Sequence, residues 1–102
     1  MTLRQKQSKF VRMIADLIVF AYNNGYELTW GDAYVSTRTG HMKGSLHYDG
    51  LAVDLNVFKG GEYLLVGEEF TILGEYWESI GGTWGGRFED GNHFSLAHGG
   101  RK

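Results

Sequence analysis

Two short segments of the sequence contain residue types that bind zinc in proteins without cysteine. The first, Ser45–Asn56, holds His47 and Asp54 seven residues apart, and the second holds Asp90 and His93 three residues apart. Zinc then takes imidazole nitrogens and carboxylate oxygens, and a catalytic site keeps three protein ligands and one position for water. These spacings raise the hypothesis that the two segments meet around one zinc ion.

Asp54 lies in an apolar segment that is typical of a strand. Along Leu51–Phe58, Val53 and Leu55 point to one side, while Asp54 and Asn56 point to the other. A lone buried carboxylate is costly unless it is paired, protonated or bound to a metal. We therefore expect Asp54 to have a partner.

The last predicted strand, Asn92–Ala97, indicates which of the histidines near the end of the chain could be a ligand. Strand alternation lets His93 face a site while Phe94 and Leu96 anchor the strand in the core. His98 points away from His93 and is not expected to be a ligand.

Other polar residues near these segments suit the chemistry of peptide hydrolysis. Asp90, three residues before His93, is placed to act as a general base and then to give the proton to the leaving amine, while the metal polarises the carbonyl. Arg38 supplies a positive charge for an oxyanion or a substrate carboxylate. His41 is either a hydrogen-bond partner near the site or a solvated loop residue.

An interpretation without a metal site also explains these residues. Two histidines and two acids occur by chance in most chains of this length. Asp54 would then cap a turn, His93 would be a core histidine with satisfied hydrogen bonds, and Arg38 would be a solvated loop charge. Spacing alone leaves both interpretations open.

Two helices and a set of short strands are predicted to position these residues. Thr2 and Gln5 form a capping-box pattern for a helix over residues 2–24, and Gly25 is a left-handed cap that ends it. A second helix is predicted over Glu68–Ile80, before a pair of glycines. The predicted strands are Tyr26–Trp30, with a continuation at 33–35, Leu51–Phe58, Glu62–Val66 after a hairpin turn at 59–61, Thr83–Trp84 and Asn92–Ala97, with loops at 36–44 and 85–91.

Composition limits the class of protein. The 102 residues fit one domain, residues 1–102, and the absence of cysteine excludes disulfides and thiolate metal sites. A net charge of −2 argues against a nucleic-acid-binding surface, and therefore against a metal-dependent nuclease. No segment approaches a membrane span, and residues 1–24 do not fit a signal peptide because Asp16 interrupts the apolar run.

The first motif resembles that of a peptidase family. Ser45 to Asp54 reads Ser-Leu-His-Tyr-Asp-Gly-Leu-Ala-Val-Asp, similar to the Ser-x-His-x-x-Gly-x-Ala-x-Asp motif of zinc D-Ala-D-Ala carboxypeptidases and L-Ala-D-Glu peptidases. The second motif of that family is an acid, two further residues and then His followed by an aromatic residue, and it resembles Asp90 to Phe94. The family includes vancomycin-resistance D,D-dipeptidases and many bacteriophage endolysins, and the runs 31–34 and 84–88 are similar to phage members.

This resemblance implies a fold and a set of roles. The fold would be α+β, with a small, mainly antiparallel sheet, helices on one face and the zinc cleft on the other, as in hedgehog-like domains. His47, Asp54 and His93 would bind Zn²⁺. Asp90 would be the catalytic acid and base, with adjacent Glu89 as a rival, and Arg38 would bind the oxyanion or substrate.

The implied activity is zinc-dependent hydrolysis of a bond in peptidoglycan stem peptides. A phage endolysin must break cross-linked wall, which favours the L-Ala-D-Glu bond over the terminal D-Ala-D-Ala bond. We expect a monomer, made in the host cytoplasm without its own signal peptide and acting on the cell wall. A non-catalytic zinc-binding module of hedgehog-like fold is the alternative.

Overall fold

The computed structural model describes residues 1–32, 46–64, 68–88 and 91–98. Within these ranges the chain forms two α-helices, five strands and two 3₁₀ turns, which makes it a small α+β domain. The elements are α1 (Leu3–Asn23), β1 (Glu27–Trp30), a 3₁₀ turn (Leu46–Asp49), β2 (Ala52–Lys59), β3 (Glu62–Leu64), α2 (Glu68–Ser79), β4 (Thr83–Trp84), a second 3₁₀ turn (Gly85–Phe88) and β5 (His93–Ser95).

Strand β2 is the centre of an antiparallel sheet with the order β1-β2-β5-β4. One edge of β2 pairs with β1 along its second half, from Leu55 to Phe58. The other edge pairs first with β5 and then with β3. Both edges of β2 are therefore occupied by neighbouring strands.

The core lies between the sheet and the two helices. Phe10 of α1 meets Trp77 of α2 edge-to-face at 5.8 Å, and Trp77 meets Phe94 of β5 at 6.1 Å. On β2, Val53, Leu55 and Val57 are buried, whereas the alternate residues Asp54, Asn56 and Phe58 are only partly covered. One face of the sheet thus carries the core, and the other face is available for a site.

Both helices end in the same backbone motif. After α1, the N–H of Tyr26 donates to Ala21 and that of Gly25 to Tyr22, while Gly25 has φ 85°. After α2, Gly81 takes the equivalent position with φ 104°. These are Schellman caps, in which glycine adopts the left-handed conformation without steric cost.

The predicted elements are largely confirmed. The Thr2–Gln5 capping box is present, and Gly60 and Gly61 have positive φ in the β2–β3 turn. The prediction of a plain loop over 85–91 is wrong in part, because Gly85–Phe88 is a 3₁₀ turn. The predicted strand continuation at 33–35, the loop at 36–44 and the end of the strand at 65–66 lie outside the described residues. In the described part of the chain, no helix is long and apolar enough to span a membrane.

Two glycines make room for the indole of Trp84. A Cβ atom at Gly74 of α2, or at Gly86 in the second 3₁₀ turn, would overlap the Trp84 ring. The indole N–H donates to the carbonyl of Gly91 at 2.8 Å. Trp84 therefore connects α2 to the turn that leads into β5.

Replacing Gly74 with alanine tests this packing. Alanine normally stabilises a helix interior by roughly 0.5–1 kcal/mol relative to glycine. Here we expect Gly74→Ala to lower the free energy of unfolding by about 1–3 kcal/mol, because the methyl group overpacks against the indole. Urea denaturation measures the change, and the exposed neighbour Glu75 provides a control, since Glu75→Ala should stay within about 0.5 kcal/mol. A stabilised Gly74→Ala variant would contradict the packing.

Candidate metal centre

Three side chains from the two sequence motifs meet on the open face of the sheet. Nε2 of His47 lies 3.3 Å from Oδ1 of Asp54, and Nδ1 of His93 lies 3.2 Å from the same oxygen. The two imidazole rings are 5.0 Å apart between centroids and inclined by 67°. The structure thus brings together the three residues that were predicted from the sequence to be zinc ligands.

His47 is positioned by the 3₁₀ turn that precedes β2. The N–H of Leu51 donates to Leu46 at 2.9 Å and that of Gly50 to His47 at 3.2 Å, and Gly50 has φ 68°. This is again a Schellman arrangement, with glycine three residues after the histidine. Gln7 of α1 donates to the carbonyl of Asp49 at 2.7 Å and ties the turn to the helix. This backbone motif therefore explains why a glycine stands three residues after His47.

Asp54 is positioned by a bulge at the end of β1. Its carbonyl accepts from Gly31 at 2.8 Å, while its N–H donates to Asp32 at 2.7 Å, so that two residues oppose one. Gly31 presses against Asp54, because a Cβ there would lie 3.0 Å from the Asp54 carbonyl oxygen and 3.1 Å from its Cβ. A side chain at position 31 would therefore crowd Asp54.

His93 is positioned by strand pairing. It is the direct cross-strand partner of Asp54 in the β2–β5 ladder, so both side chains leave the sheet on the same face. Phe94, the next residue, is fully buried on the opposite face. The hydrogen bond from Trp84 to the carbonyl of Gly91 holds the chain just before this strand.

The environment keeps Asp54 ionised. Burial on its own raises the pKa of Asp54, but hydrogen bonds and charge interactions with His47 and His93 outweigh it and hold the pKa far below its usual value. The side chains of Asp54, His47 and His93 are 20%, 2% and 16% exposed, so the cluster opens to solvent mainly at the aspartate and His93. An ionised carboxylate that is partly open to solvent is suited to bind a cation.

The donor set fits zinc. One ligand atom from each of His47, Asp54 and His93 can be chosen so that all lie within 4.8 Å of one another. Two imidazole nitrogens and one carboxylate oxygen are the ligands of a catalytic zinc site that keeps a position for water. Within the described ranges, these residues form the only such group of His, Cys, Asp or Glu.

The remaining candidate residues are placed as follows. Arg38, His41, Glu89 and Asp90 lie outside the described residues, so their roles stay predictions. His98 is not in the cluster, and its Nδ1 lies 3.2 Å from Nζ of Lys6 on α1.

Two residues that support the site were not identified from the sequence. Gly31 directly follows the predicted strand Tyr26–Trp30, where a glycine is compatible with a bend, a strand end or a bulge, so its contact with Asp54 was not predicted. Trp84 was noted as part of a motif but not as an anchor for the turn before His93. Neither contact leaves a periodic pattern, because the Gly31 contact depends on the pairing of β1 with β2 and the Trp84 contact closes a turn of seven residues.

Comparison with known proteins agrees with these motifs. A family model described as D-alanyl-D-alanine carboxypeptidase matches residues 37–96, which is more than half of the chain and includes both motifs. No curated protein sequence matches the chain.

Removal of one imidazole should abolish tight zinc binding. We expect His93→Gln to weaken zinc affinity by at least about 100-fold, because loss of an outer-shell partner alone already costs 10–100-fold. Competition with a chromophoric chelator measures affinity. Zinc should also raise the thermal midpoint of the unsubstituted protein but not that of the variant, since a ligand stabilises only the state that binds it. His98→Gln is the matched control and should bind zinc normally; equal losses in both variants would contradict the assignment.

Filling the space at Gly31 should disturb the aspartate. Gly31 does not have a positive φ, so alanine would act through its contact with Asp54 rather than through backbone strain. We expect Gly31→Ala to weaken zinc binding about tenfold, comparable to the loss of an outer-shell contact. In the control Gly91→Ala, the added carbon would make only an ordinary contact with Phe70 at 3.7 Å, so zinc affinity should stay unchanged. Unchanged zinc affinity in Gly31→Ala would show that Gly31 does not position the carboxylate.

Proposed function

Because the chain belongs to the D-alanyl-D-alanine carboxypeptidase family of peptidases, we propose that it is a zinc-dependent enzyme that hydrolyses a bond in peptidoglycan stem peptides. The bond proposed is L-Ala-D-Glu, as in an endolysin of a bacteriophage. Hydrolysis of D-Ala-D-Ala is the alternative within the same chemistry.

The observation that carries this proposal is the convergence of His47, Asp54 and His93. They come from two motifs separated by almost forty residues, and their donor atoms approach one carboxylate oxygen. A core histidine or a turn-capping aspartate would not require this arrangement. Nε2 of His47, Nδ1 of His93 and a carboxylate oxygen of Asp54 would hold the ion.

Each residue then has a distinct chemical role. Bound zinc would polarise the scissile carbonyl and make water a stronger nucleophile. Asp90 would accept the proton from that water and deliver it to the amine that leaves, so that the same carboxylate takes up the proton and gives it back. Arg38 would bind the negative charge that develops on the carbonyl oxygen, or a carboxylate of the substrate.

The choice of bond follows from what lysis requires. Removal of a terminal D-Ala leaves existing cross-links in place, whereas cleavage between L-Ala and D-Glu detaches the peptide from its glycan strand. The similarity of residues 31–34 and 84–88 to phage members supports a lytic role.

Digestion of purified sacculi by the zinc-loaded protein tests the proposal. We expect soluble peptides with new amino-terminal D-Glu, identified by mass spectrometry. Release of free D-Ala alone would overturn the endopeptidase assignment and leave a carboxypeptidase. Zinc binding without release of any peptide would instead identify a non-catalytic zinc-binding module.

Asp90→Asn separates catalysis from metal binding. We expect hydrolysis to fall by about 100-fold or more, the usual contribution of a positioned acid or base, while zinc affinity is retained. Glu89→Gln is the matched control, since it makes the same charge change one residue earlier. Loss of activity in Glu89→Gln but not in Asp90→Asn would transfer the role to Glu89.

A further inference from the structure

The face of β2 that carries Asp54 continues beyond the three clustered residues. Asn56 and Phe58 follow at two-residue intervals on this face, because side chains alternate along a strand. Thr29 is the cross-strand partner of Asn56 and Glu27 that of Phe58, so both contribute to the same surface. A polar surface therefore leads away from Asp54 towards the hairpin end of the sheet.

Asn56 is the first side chain on this surface. Its amide nitrogen lies 3.4 Å from the carbonyl of Trp30, and its amide oxygen lies 3.4 Å from the hydroxyl of Tyr63. Both distances exceed those of good hydrogen bonds, which lie near 2.7–3.2 Å for nitrogen donors. The amide can therefore form shorter bonds to another partner, and it offers both a donor and an acceptor, as a peptide group requires.

A recess lies beyond Asn56 at the end of the surface. Its volume is about 260 Å³, and Glu27, Thr29 and Phe58 line it together with Leu28 and Gly61. Glu27 is exposed and makes no ion pair with any of the described residues. Lys59 extends to the other face, where its Nζ lies 5.1 Å from the ring centroid of Tyr26. The recess thus combines one carboxylate with an aromatic side chain.

Sheet pairing determines how a peptide can approach this surface. A peptide cannot add to β2 as another strand, because β1 takes one edge and β5 and β3 take the other. A peptide that reaches Asp54 therefore lies across the face and is held by side chains. Phe58 lies four steps along the strand from Asp54, which corresponds to about 13 Å. About four residues of extended peptide cover that distance, or fewer if a long side chain reaches into the recess.

We propose that this surface is the substrate-binding track, in which Asn56 hydrogen-bonds the peptide main chain and Glu27 in the recess binds a positively charged side chain. The proposal rests on the proposed function, since it takes the substrate to be a peptide cleaved beside Asp54. The amine of a diamino acid in the stem peptide is the group of the right chemistry for Glu27.

Paired peptides test the Glu27 contact. The probes are L-Ala-γ-D-Glu-L-Lys and the same peptide with Nε-acetyl-lysine, which keeps the length but removes the charge. We expect the unsubstituted protein to show a KM about two- to fivefold lower for the lysine peptide, as an exposed ion pair allows. Glu27→Gln should abolish this preference with kcat unchanged. Glu62→Gln, an equal charge change on the opposite face of the hairpin, should retain it.

Asn56→Ala tests the main-chain contact. We expect KM to rise about threefold to tenfold for both peptides, the value of one hydrogen bond, with zinc affinity unchanged. Isothermal titration of an uncleavable analogue of the lysine peptide gives a second readout, and its dissociation constant should rise by the same factor. A fall in kcat or zinc affinity with KM unchanged would overturn the proposal, because Asn56 would then act only on the metal site.

The outcomes also separate this proposal from the function. Hydrolysis by the unsubstituted protein with equal KM for both peptides, in Glu27→Gln as well, would overturn the track and leave the peptidase intact. Tighter binding of the uncleavable lysine analogue to the unsubstituted protein than to Glu27→Gln, without any hydrolysis, would support the track and overturn the function. Absence of both binding and hydrolysis would overturn both.

Discussion

The contact of one carboxylate with two imidazoles is the constraint on which the rest of the structure depends. Asp54 is partly buried in the central strand, and a charge in that position is stable only if it has partners. His47 and His93 supply them at 3.3 and 3.2 Å. Both approach the same oxygen, so a displacement of either histidine would remove one of the two partners of the carboxylate, and a displacement of Asp54 would remove both. The elements that carry them must therefore be fixed relative to one another.

Three different backbone devices provide this fixation. A glycine-capped 3₁₀ turn directs His47, a bulge at Gly31 and Asp32 restricts Asp54, and direct cross-strand pairing brings His93 opposite Asp54. Only the turn is local in sequence, but all three devices act on β2 or on the turn that enters it. The helices contribute indirectly, since Trp77 and Phe94 hold β5 against the core while Gln7 holds the 3₁₀ turn. The site is thus built on rigid elements and not on loops alone.

Sequence reasoning predicted the elements better than the contacts between them. Alternation on β2 correctly separated Val53 and Leu55 from Asp54, and glycine chemistry located the ends of both helices, because these signals lie within a few residues of chain. The convergence of His47, Asp54 and His93 was anticipated from two motifs, yet the β2–β5 register that produces it is a pairing over about forty residues. The contact of Gly31 with Asp54 left no local signal, since a glycine after a strand is compatible with a bend, an end or a bulge.

The alternation of β2 also explains how so small a domain can combine a core with a site. One set of alternate residues faces the helices and is buried, while the other set begins at Asp54 and continues through Asn56 to Phe58. Because a shift in pairing by one residue would exchange the two faces, the register that buries Val53 is also the register that exposes the carboxylate. The register of β2 thus determines both the packing of the core and the orientation of the candidate ligands. A substitution that weakens the core contacts of β2 would disturb the candidate metal centre without replacing any of its three residues.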